Sequence, residues 1–232
     1  MKKLKAIIFD VDGTLVENER YAHRVAFNET FAEYKLDWHW NEEFYGELLA
    51  VTGGKERIRF FVDKFHPDKS YSDAFIAELH QNKTVRYNQM LVTNPLPLRS
   101  GVRKLIEEAR REGITLAIAT TTSLRNVTVL LEQSLAPESV DWFDVIAAGD
   151  MVSAKKPAPD IYNYALKELG LKAEECIAIE DSYNGVRSAT LANITTIITV
   201  NDYTRLDDFT GAALVVENLD EVNVEMLRRA LG

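Results

Sequence analysis

Short apolar runs recur along the chain and, in its second half, alternate with amphipathic helical patterns. The runs are rich in β-branched residues and cover residues 5–9, 115–119, 145–147, 176–179 and 195–200. The helical patterns cover residues 102–111, 125–135, 161–169 and 183–192. Strands that are apolar throughout and alternate with helices are typical of a parallel sheet covered on both faces. We therefore predict an α/β fold.

The stretch between the first two runs is long and contains no β-rich segment. It shows helical patterns at residues 19–34, 41–50, 54–65 and 71–90, with aromatic residues throughout, as an independent helical core requires. Asn94-Pro95-Leu96-Pro97 then returns the chain to the sheet, because closely spaced prolines cannot continue a helix. We predict a core domain formed by residues 1–15 and 96–232 and a helical domain, residues 16–95, inserted after the first strand.

The formal net charge of −9 argues against extended nucleic-acid binding and against an anionic membrane surface as a partner. A small anionic substrate is compatible with this charge, because a local cluster of cations can override the global sign. The apolar run at residues 6–9 is too short for a signal peptide, and no segment is long enough to span a bilayer. We expect a cytoplasmic, monomeric protein that binds a small molecule.

Chemically useful side chains follow the predicted strands. Asp10 ends the first strand, Thr120-Thr121-Thr122 the second and Glu180-Asp181 the fourth, and the loop after the third carries Lys155-Lys156-Pro157. In an open parallel sheet, ligands bind at the carboxyl ends of the strands, where loops converge. Each group alone is an ordinary turn or loop residue, but their appearance in order at successive strand ends indicates one active site.

The segment Asp10-Val11-Asp12-Gly13-Thr14-Leu15 resembles the first motif of the haloacid dehalogenase superfamily, and Thr120, Lys156 and Glu180-Asp181 resemble its second, third and fourth motifs. This resemblance implies a Rossmann-like core with an α-helical cap inserted between the first two motifs. Residues 156–162 and 180–182 look like the β-phosphoglucomutase and phosphoglycolate phosphatase branch. Residues 52–57 resemble the CbbY group, sugar-bisphosphate phosphatases associated with carbon fixation.

The resemblance implies a phosphatase that forms an aspartyl-phosphate. Asp10 would attack phosphorus as a carboxylate. Asp12 would lie on the same side of an extended chain, where it can protonate the leaving alkoxide and then deprotonate the attacking water. The second and third motifs would bind the phosphoryl oxygens and neutralise their charge through Thr120, Thr121, Thr122 and Lys156.

A count of charges indicates a metal ion. The four carboxylates of the first and fourth motifs contribute −4, and Lys156 returns only +1. Like charges about 4 Å apart repel by about 4 kcal/mol at a surface-like dielectric, so a phosphate dianion needs a cation beside it. Magnesium suits oxygen ligands and phosphate chemistry. The resemblance implies Asp10, the backbone carbonyl of Asp12 and Asp181 as ligands with Glu180 as a helper, and the neighbouring carboxylates should raise the pKa of Asp12.

A second phosphate on the substrate would need further cations, which we expect from the inserted domain. Lys55 and Arg57 follow a glycine pair ending at Gly54, whose backbone amides can be exposed to an anion. The alternative is a helix start at which Lys55 and Arg57 are merely solvated. His23 is either a substrate contact or a packing residue of a helix, and Glu17 is either a substrate contact or part of a hinge.

We therefore expect hydrolysis of a small phosphorylated sugar, and the CbbY resemblance suggests xylulose-1,5-bisphosphate. An isomerase of the β-phosphoglucomutase type is the alternative, because it shares the catalytic residues but returns the phosphoryl group to a rotated sugar intermediate. Dehalogenation is disfavoured, since it needs neither magnesium nor Asp12. A non-catalytic binding protein is expected to have lost at least one motif residue, and none is missing.

Overall fold

The computed structural model describes residues 3–232, which contain a six-stranded parallel sheet. The strands are β1 (Ala6–Phe9), β2 (Thr115–Thr120), β3 (Val145–Ala148), β4 (Cys176–Glu180), β5 (Thr195–Thr199) and β6 (Leu214–Val216). Their order across the sheet is β3-β2-β1-β4-β5-β6, and each neighbouring pair is parallel. The predicted α/β fold with a Rossmann-like core is thus confirmed.

Strand β1 lies in the interior of the sheet, paired with β2 on one side and with β4 on the other. Ile7 and Phe9 pack in the larger apolar cluster, and Ala6 and Ile8 pack in the cluster on the opposite face. Because both faces are covered, the strand is apolar at every position instead of alternating with polar residues. The strand direction then places Asp10 at the carboxyl edge of the sheet.

The faces of the sheet are covered by α5 (Val102–Arg111), α6 (Leu124–Ser134), α7 (Asp160–Leu169), α8 (Tyr183–Leu191) and α9 (Val224–Leu231). The first four agree with the predicted helices to one residue at each end. The sequence patterns do not predict β6 and α9. Strand β6 has three residues at the edge of the sheet and α9 has eight residues, so neither is long enough for a clear periodicity.

The inserted stretch is helical, with α1 (Arg24–Glu33), α2 (Glu42–Leu48), α3 (Gly54–Phe65) and α4 (Asp73–Thr93). Asn41 and Ser72 cap α2 and α4 by accepting hydrogen bonds from the backbone N–H groups of Phe44 and Phe75. The chain before α1 forms a π-helical turn, Glu19–His23, where the sequence predicts a regular helix. Such turns occur frequently at functional sites.

These helices pack around an aromatic cluster of their own. The ring centroid of Trp40 lies 4.8 Å from those of both Phe27 and Phe31. The inserted α-helical cap is therefore present, as predicted. Its boundaries after residues 15 and 95 stay a prediction, because the apolar packing does not divide there: Tyr87 and Leu91 of α4 belong to the larger cluster of the sheet. Within residues 3–232, no helix combines the length and the apolar character needed to cross a membrane.

Two chain segments link the sheet to the cap. Val16 in the first segment is bridged to Asp12 and to Leu98 of the second. Arg99 in the second segment donates hydrogen bonds to the backbone carbonyl of Gly13 and to two carbonyls at the end of β5. The two linkers are thus fixed to each other and to the carboxyl edge of the sheet.

Replacing Gly101 by alanine should destabilise the protein strongly. Gly101 precedes α5 with φ +81°, and a Cβ atom there would lie 2.0 Å from the carbonyl carbon of Leu219. Left-handed strain and overpacking against the backbone should together lower the free energy of unfolding by about 3–5 kcal/mol. Denaturant unfolding measures this loss.

Gly113, which follows α5, provides the matched control. It has φ +66°, but a Cβ atom there would meet no described atom within 4 Å. Gly113→Ala should therefore cost only the left-handed strain, about 1–2 kcal/mol. Equal losses for Gly101→Ala and Gly113→Ala would contradict the role of the close approach to Leu219.

Candidate active site

A cleft of about 570 Å³ lies between the carboxyl edge of the sheet and the cap. Its walls include core residues Asp10, Asp12, Thr121, Lys156, Glu180 and Asp181 and cap residues Glu19, Gly46, Glu47, Thr52 and Arg57. A narrower space of about 70 Å³ shares some of these walls and is lined also by His23, Gly54, Lys55 and Thr122. The fold therefore brings residues of all the predicted motifs to one place.

Lys156 connects the first and fourth motifs. Its Nζ lies 2.6 Å from Asp10 Oδ1 and 2.6 Å from Glu180 Oε1, and it donates to the carbonyl oxygen of Ala119 at 2.9 Å. The hydroxyl of Tyr162 donates a hydrogen bond to the same Glu180 oxygen at 2.6 Å. An ammonium group has three protons, so Lys156 is held by a full set of buried acceptors.

The buried carboxylates are short of positive charge. Burial raises the pKa of Asp10 to about 8, because the nearby Lys156 only partly offsets it and Glu180 adds a like charge. Burial also raises the pKa of Asp181 well above its ordinary value, with further contributions from Asp10 and Glu180. One lysine therefore does not stabilise this whole group in its ionised form.

The same carboxylates fit the predicted magnesium site. Oxygen atoms of Asp10, Glu180 and Asp181 all lie within 4.8 Å of one another, and the three residues are buried. Glu180 Oε2 is buried and has no hydrogen-bond partner among the described residues. Asn201 donates from Nδ2 to Asp181 Oδ2 at 2.7 Å and fixes that carboxylate. An oxygen-only donor set that lacks positive charge suits a hard divalent cation, with the main-chain carbonyl of Asp12 as a further predicted ligand.

Asp12 lies among hydrogen-bond donors. Asn18 donates from Nδ2 to Asp12 Oδ1, and His23 Nε2 lies 3.2 Å from the same oxygen. Burial acts to raise the pKa of Asp12, but His23, Asn18 and Lys83 outweigh it, and the pKa is lowered. The expectation of a raised pKa is therefore wrong for the protein alone, because these donors and cations outweigh the effect of burial.

The segment after β2, which we predict to bind phosphate, leads directly into α6. The hydroxyl of Thr120 accepts from the backbone N–H of Thr122 at 3.3 Å, and Ser123 caps α6 by accepting from the backbone N–H of Asn126 at 3.3 Å. Thr121 and Thr122 line the narrow space. The loop lies at the positive end of the α6 dipole, which favours a bound anion.

Lys55 faces the core across the cleft. Gly54 and Lys55 begin α3, and both line the narrow space. Lys55 Nζ lies 3.0 Å from the carboxylate of Asp150, which also accepts from Lys155 at 2.8 Å. Hydrogen bonds from Lys155 and Lys55 lower the pKa of Asp150 to about 2. Lys55 is therefore an ion-paired residue of the narrow space and not merely solvated.

Arg57 is buried in the wall of the cleft. It donates from Nε to the carbonyl of Leu48 at 3.2 Å and from Nη1 to the hydroxyl of Tyr45 at 3.1 Å. That hydroxyl donates to Glu19 at 2.5 Å. Arg57 is thus fixed by the cap itself, and the alternative of a merely solvated Arg57 does not describe this structure.

His23 lies between Asp12 and a buried lysine. Its ring stacks on Tyr87 with 4.0 Å between ring centroids, and its Nδ1 contacts Lys83 Nζ. Burial lowers the pKa of Lys83 to about 7. His23 therefore contacts the predicted acid/base residue as well as packing inside the cap.

Glu17 is not brought to the cleft. Its carboxylate lies 3.0 Å from Arg99, and within the described part of the chain it lines neither the cleft nor the narrow space. Because Arg99 also holds the two linkers together, this position favours the hinge role of Glu17 over a substrate contact.

Sequence reasoning missed several residues of the site, namely Asn18, Glu19, Lys83, Asn126 and Asn201. Lys83 is the one that a pattern indicates, because it falls in the buried stripe of α4 between Leu79 and Tyr87. A buried lysine needs a partner, and that requirement is a signal of function. The asparagines look like ordinary helix and loop residues in the sequence, and their contacts with the site form only in the folded chain.

Residues 4–193 match the haloacid dehalogenase-like hydrolase family. Protein CbbY of Cereibacter sphaeroides is 47% identical over 219 residues, which cover 94% of this chain and 94% of that protein. The crystal structure of CbbY from Rhodobacter sphaeroides in complex with phosphate has a TM-score of 0.92 at 46% identity and covers 97% of this chain and 99% of that chain.

A mutant of the same protein, in complex with xylulose-(1,5)bisphosphate, has a TM-score of 0.91 at 46% identity, with 96% of this chain and 98% of that chain covered. The family match spans all four motifs. Residues of the first, third and fourth motifs line the cleft, and so does Thr121, which directly follows Thr120 of the second motif. The prediction of an enzyme that acts as a phosphatase is confirmed, and the chain belongs to the haloacid dehalogenase-like hydrolase family.

Proposed function

We propose that the protein is a magnesium-dependent phosphatase that acts on a small phosphorylated sugar through an aspartyl-phosphate at Asp10. The observation that carries this proposal is the buried Asp10 carboxylate, 2.6 Å from Lys156 Nζ in the wall of the cleft, with Asp12 two residues further on. The CbbY complex with xylulose-(1,5)bisphosphate supports a sugar bisphosphate as the substrate. We propose xylulose-1,5-bisphosphate for this chain as well.

The first half of the reaction transfers the phosphoryl group to the enzyme. A carboxylate oxygen of Asp10 attacks the phosphorus atom, a new O–P bond forms, and the bond from phosphorus to the sugar oxygen breaks. Asp12 gives a proton to the departing alkoxide, and because its pKa is lowered in the protein alone, it must bind that proton when the phosphate dianion enters beside it. Asn18 donates to Asp12 Oδ1 and His23 Nε2 lies 3.2 Å from the same oxygen, which leaves the second oxygen for proton transfer.

The second half releases orthophosphate. Asp12 takes a proton from water, the water oxygen attacks phosphorus, and the O–P bond to Asp10 breaks, which restores the carboxylate. Lys156 and the loop at Thr120 and Thr121 neutralise negative charge on the phosphoryl oxygens in both halves. Since Lys156 is already held by buried acceptors, it needs little reorganisation during the reaction.

Asp10, Asp181 and the main-chain carbonyl of Asp12 would hold the magnesium ion, with Glu180 beside them. When bound, the ion supplies the positive charge that allows a phosphate dianion to approach these carboxylates. Asn201, through its hydrogen bond to Asp181, would keep that carboxylate oriented.

The distribution of cations supports a substrate with two phosphates. Lys156 lines the cleft, whereas Lys55 and Lys155 line the narrow space. The volume of the cleft, about 570 Å³, is in the range of about 300–1,000 Å³ found for small-molecule sites.

The predicted monomeric state and cytoplasmic location stay predictions.

Product analysis should separate hydrolysis from isomerisation. With Mg²⁺, we expect xylulose-1,5-bisphosphate to release orthophosphate, because water accepts the phosphoryl group from Asp10. β-Glucose 1-phosphate should yield no glucose 6-phosphate in a coupled dehydrogenase assay. Excess chelator is the control and should stop phosphate release. Formation of glucose 6-phosphate as the main product would establish the mutase alternative instead.

Asp10→Asn should abolish turnover while the protein stays folded. The amide cannot attack phosphorus as a carboxylate does, so we expect kcat to fall at least about a thousandfold. Phosphate release and circular dichroism measure the two properties. Asp68→Asn, the same substitution at an exposed turn of the cap, is the matched control and should leave kcat unchanged. Magnesium-dependent turnover that persists in Asp10→Asn would refute the assigned nucleophile.

Lys55→Ala should raise KM for a sugar bisphosphate more than for the corresponding monophosphate. Loss of one charge-assisted hydrogen bond to the second phosphate should raise the bisphosphate KM about tenfold. Steady-state kinetics with both substrates measure the difference. Lys64→Ala, an exposed lysine in the last turn of the same helix, should change neither KM. Equal effects of Lys55→Ala on both substrates would remove Lys55 from the second-phosphate site.

A further inference from the structure

We propose that Asn88 of the cap and Asn126 of the core form a directional hydrogen-bond relay that turns the Thr122 hydroxyl into a donor for the substrate phosphate. Both asparagines are positioning residues, since they act through Thr122. This inference rests on the proposed function, in which the narrow space lined by Lys55 and Thr122 binds one phosphate of the substrate.

The relay starts at a backbone carbonyl. Asn88 Nδ2 donates to the carbonyl oxygen of Thr84 at 2.9 Å and to Asn126 Oδ1 at 3.0 Å. Asn126 Nδ2 donates to Thr122 Oγ1 at 2.9 Å. Asn88 and Asn126 are 5% and 4% exposed, so water has little access to the relay.

The chemistry of the groups fixes the direction of each bond. A backbone carbonyl accepts only, so the amide of Asn88 must present its NH₂ group to Thr84 and, through the second proton, to Asn126. Asn126 must then present its oxygen to Asn88 and its NH₂ group to Thr122. Because Thr122 Oγ1 accepts this bond, its own proton points elsewhere and is available to an anion.

The position of Thr122 makes that proton useful. Thr122 lines the narrow space together with Thr121, Lys55 and Lys155, all groups able to bind an anion. Without the relay, the Asn126 amide could rotate and accept the Thr122 proton. The lone pairs of Thr122 would then face the phosphate, and their interaction with an anion is repulsive.

The relay also crosses from the cap to the core. Asn88 lies on α4, whereas Asn126 lies in the first turns of α6, directly after the phosphate loop. The same helix α4 carries Tyr87, whose hydroxyl accepts from Asn18, the residue that donates to Asp12. One cap helix is therefore joined by buried hydrogen bonds to the phosphate loop and to the predicted acid/base residue.

The test measures the affinity of the magnesium-loaded protein for inorganic phosphate by titration calorimetry, which requires no turnover. Asn126→Leu removes the donor to Thr122 and should weaken phosphate binding about tenfold, on the scale of one hydrogen bond to a charged group. Asn88→Leu frees the Asn126 amide to rotate and should weaken binding in the same direction. With substrate, both variants should raise KM more than they lower kcat.

A double-mutant cycle isolates the relay from a general loss of stability. Thr122→Val removes the hydroxyl, so adding Asn126→Leu to it should weaken phosphate binding no further than about twofold. Val127→Ala is the matched control, because Val127 is a buried apolar residue next to Asn126 on α6. It should lower the melting temperature without changing phosphate affinity.

Three results would overturn the relay. They are an Asn126→Leu affinity equal to that of Val127→Ala, additive effects of Asn126→Leu and Thr122→Val, and an Asn88→Leu protein that binds phosphate as the wild type does. If Asn126→Leu does not fold, the Asn88→Leu result decides. Wild-type protein that binds phosphate but hydrolyses no sugar phosphate would refute the proposed function alone, whereas wild-type protein that binds no phosphate would refute both.

Discussion

The candidate site depends on the hydrogen bonds and ion pairs of Lys156. Its ammonium group lies 2.6 Å from carboxylates of two different strand ends, Asp10 after β1 and Glu180 at the end of β4. Removing one partner of a buried ion pair costs about 3–5 kcal/mol, because it leaves a charge without compensation. Without Lys156 the two carboxylates would repel one another at these neighbouring strand ends. Structure and chemistry thus use the same ion pairs.

The parallel sheet explains why so much of this site could be predicted from the sequence. Its strands all end at one edge, so residues that directly follow apolar runs must meet there. Asp10, Thr120 and Glu180 are such residues, and each follows or ends a strand of four to six residues. Lys156 is harder to predict from its position alone, since it lies eight residues beyond β3, and the motif around it is what identifies it.

The environment of these residues could not be predicted, because it depends on packing between distant helices. The count of carboxylates predicts a raised pKa for Asp12, but the folded chain places His23, Asn18 and Lys83 around it and the pKa is lowered. Glu17 is close to the motif in sequence, yet its partner Arg99 comes from the second linker. In both cases the deciding neighbour lies in another segment, and a single sequence contains no signal for that contact.

The packing at the boundary between cap and core also depends on contacts between distant segments. The two linkers suggest two separable domains, but Tyr87 and Leu91 of α4 pack in the apolar cluster of the sheet. Buried polar contacts follow the same surface, from Asn88 to Asn126 and from Tyr87 to Asn18. A helix with this much buried contact to the core cannot shift without breaking hydrogen bonds that have no water to replace them. We therefore expect α3, whose contact with the core through Lys55 and Asp150 is more exposed, to move over the cleft more easily than α4.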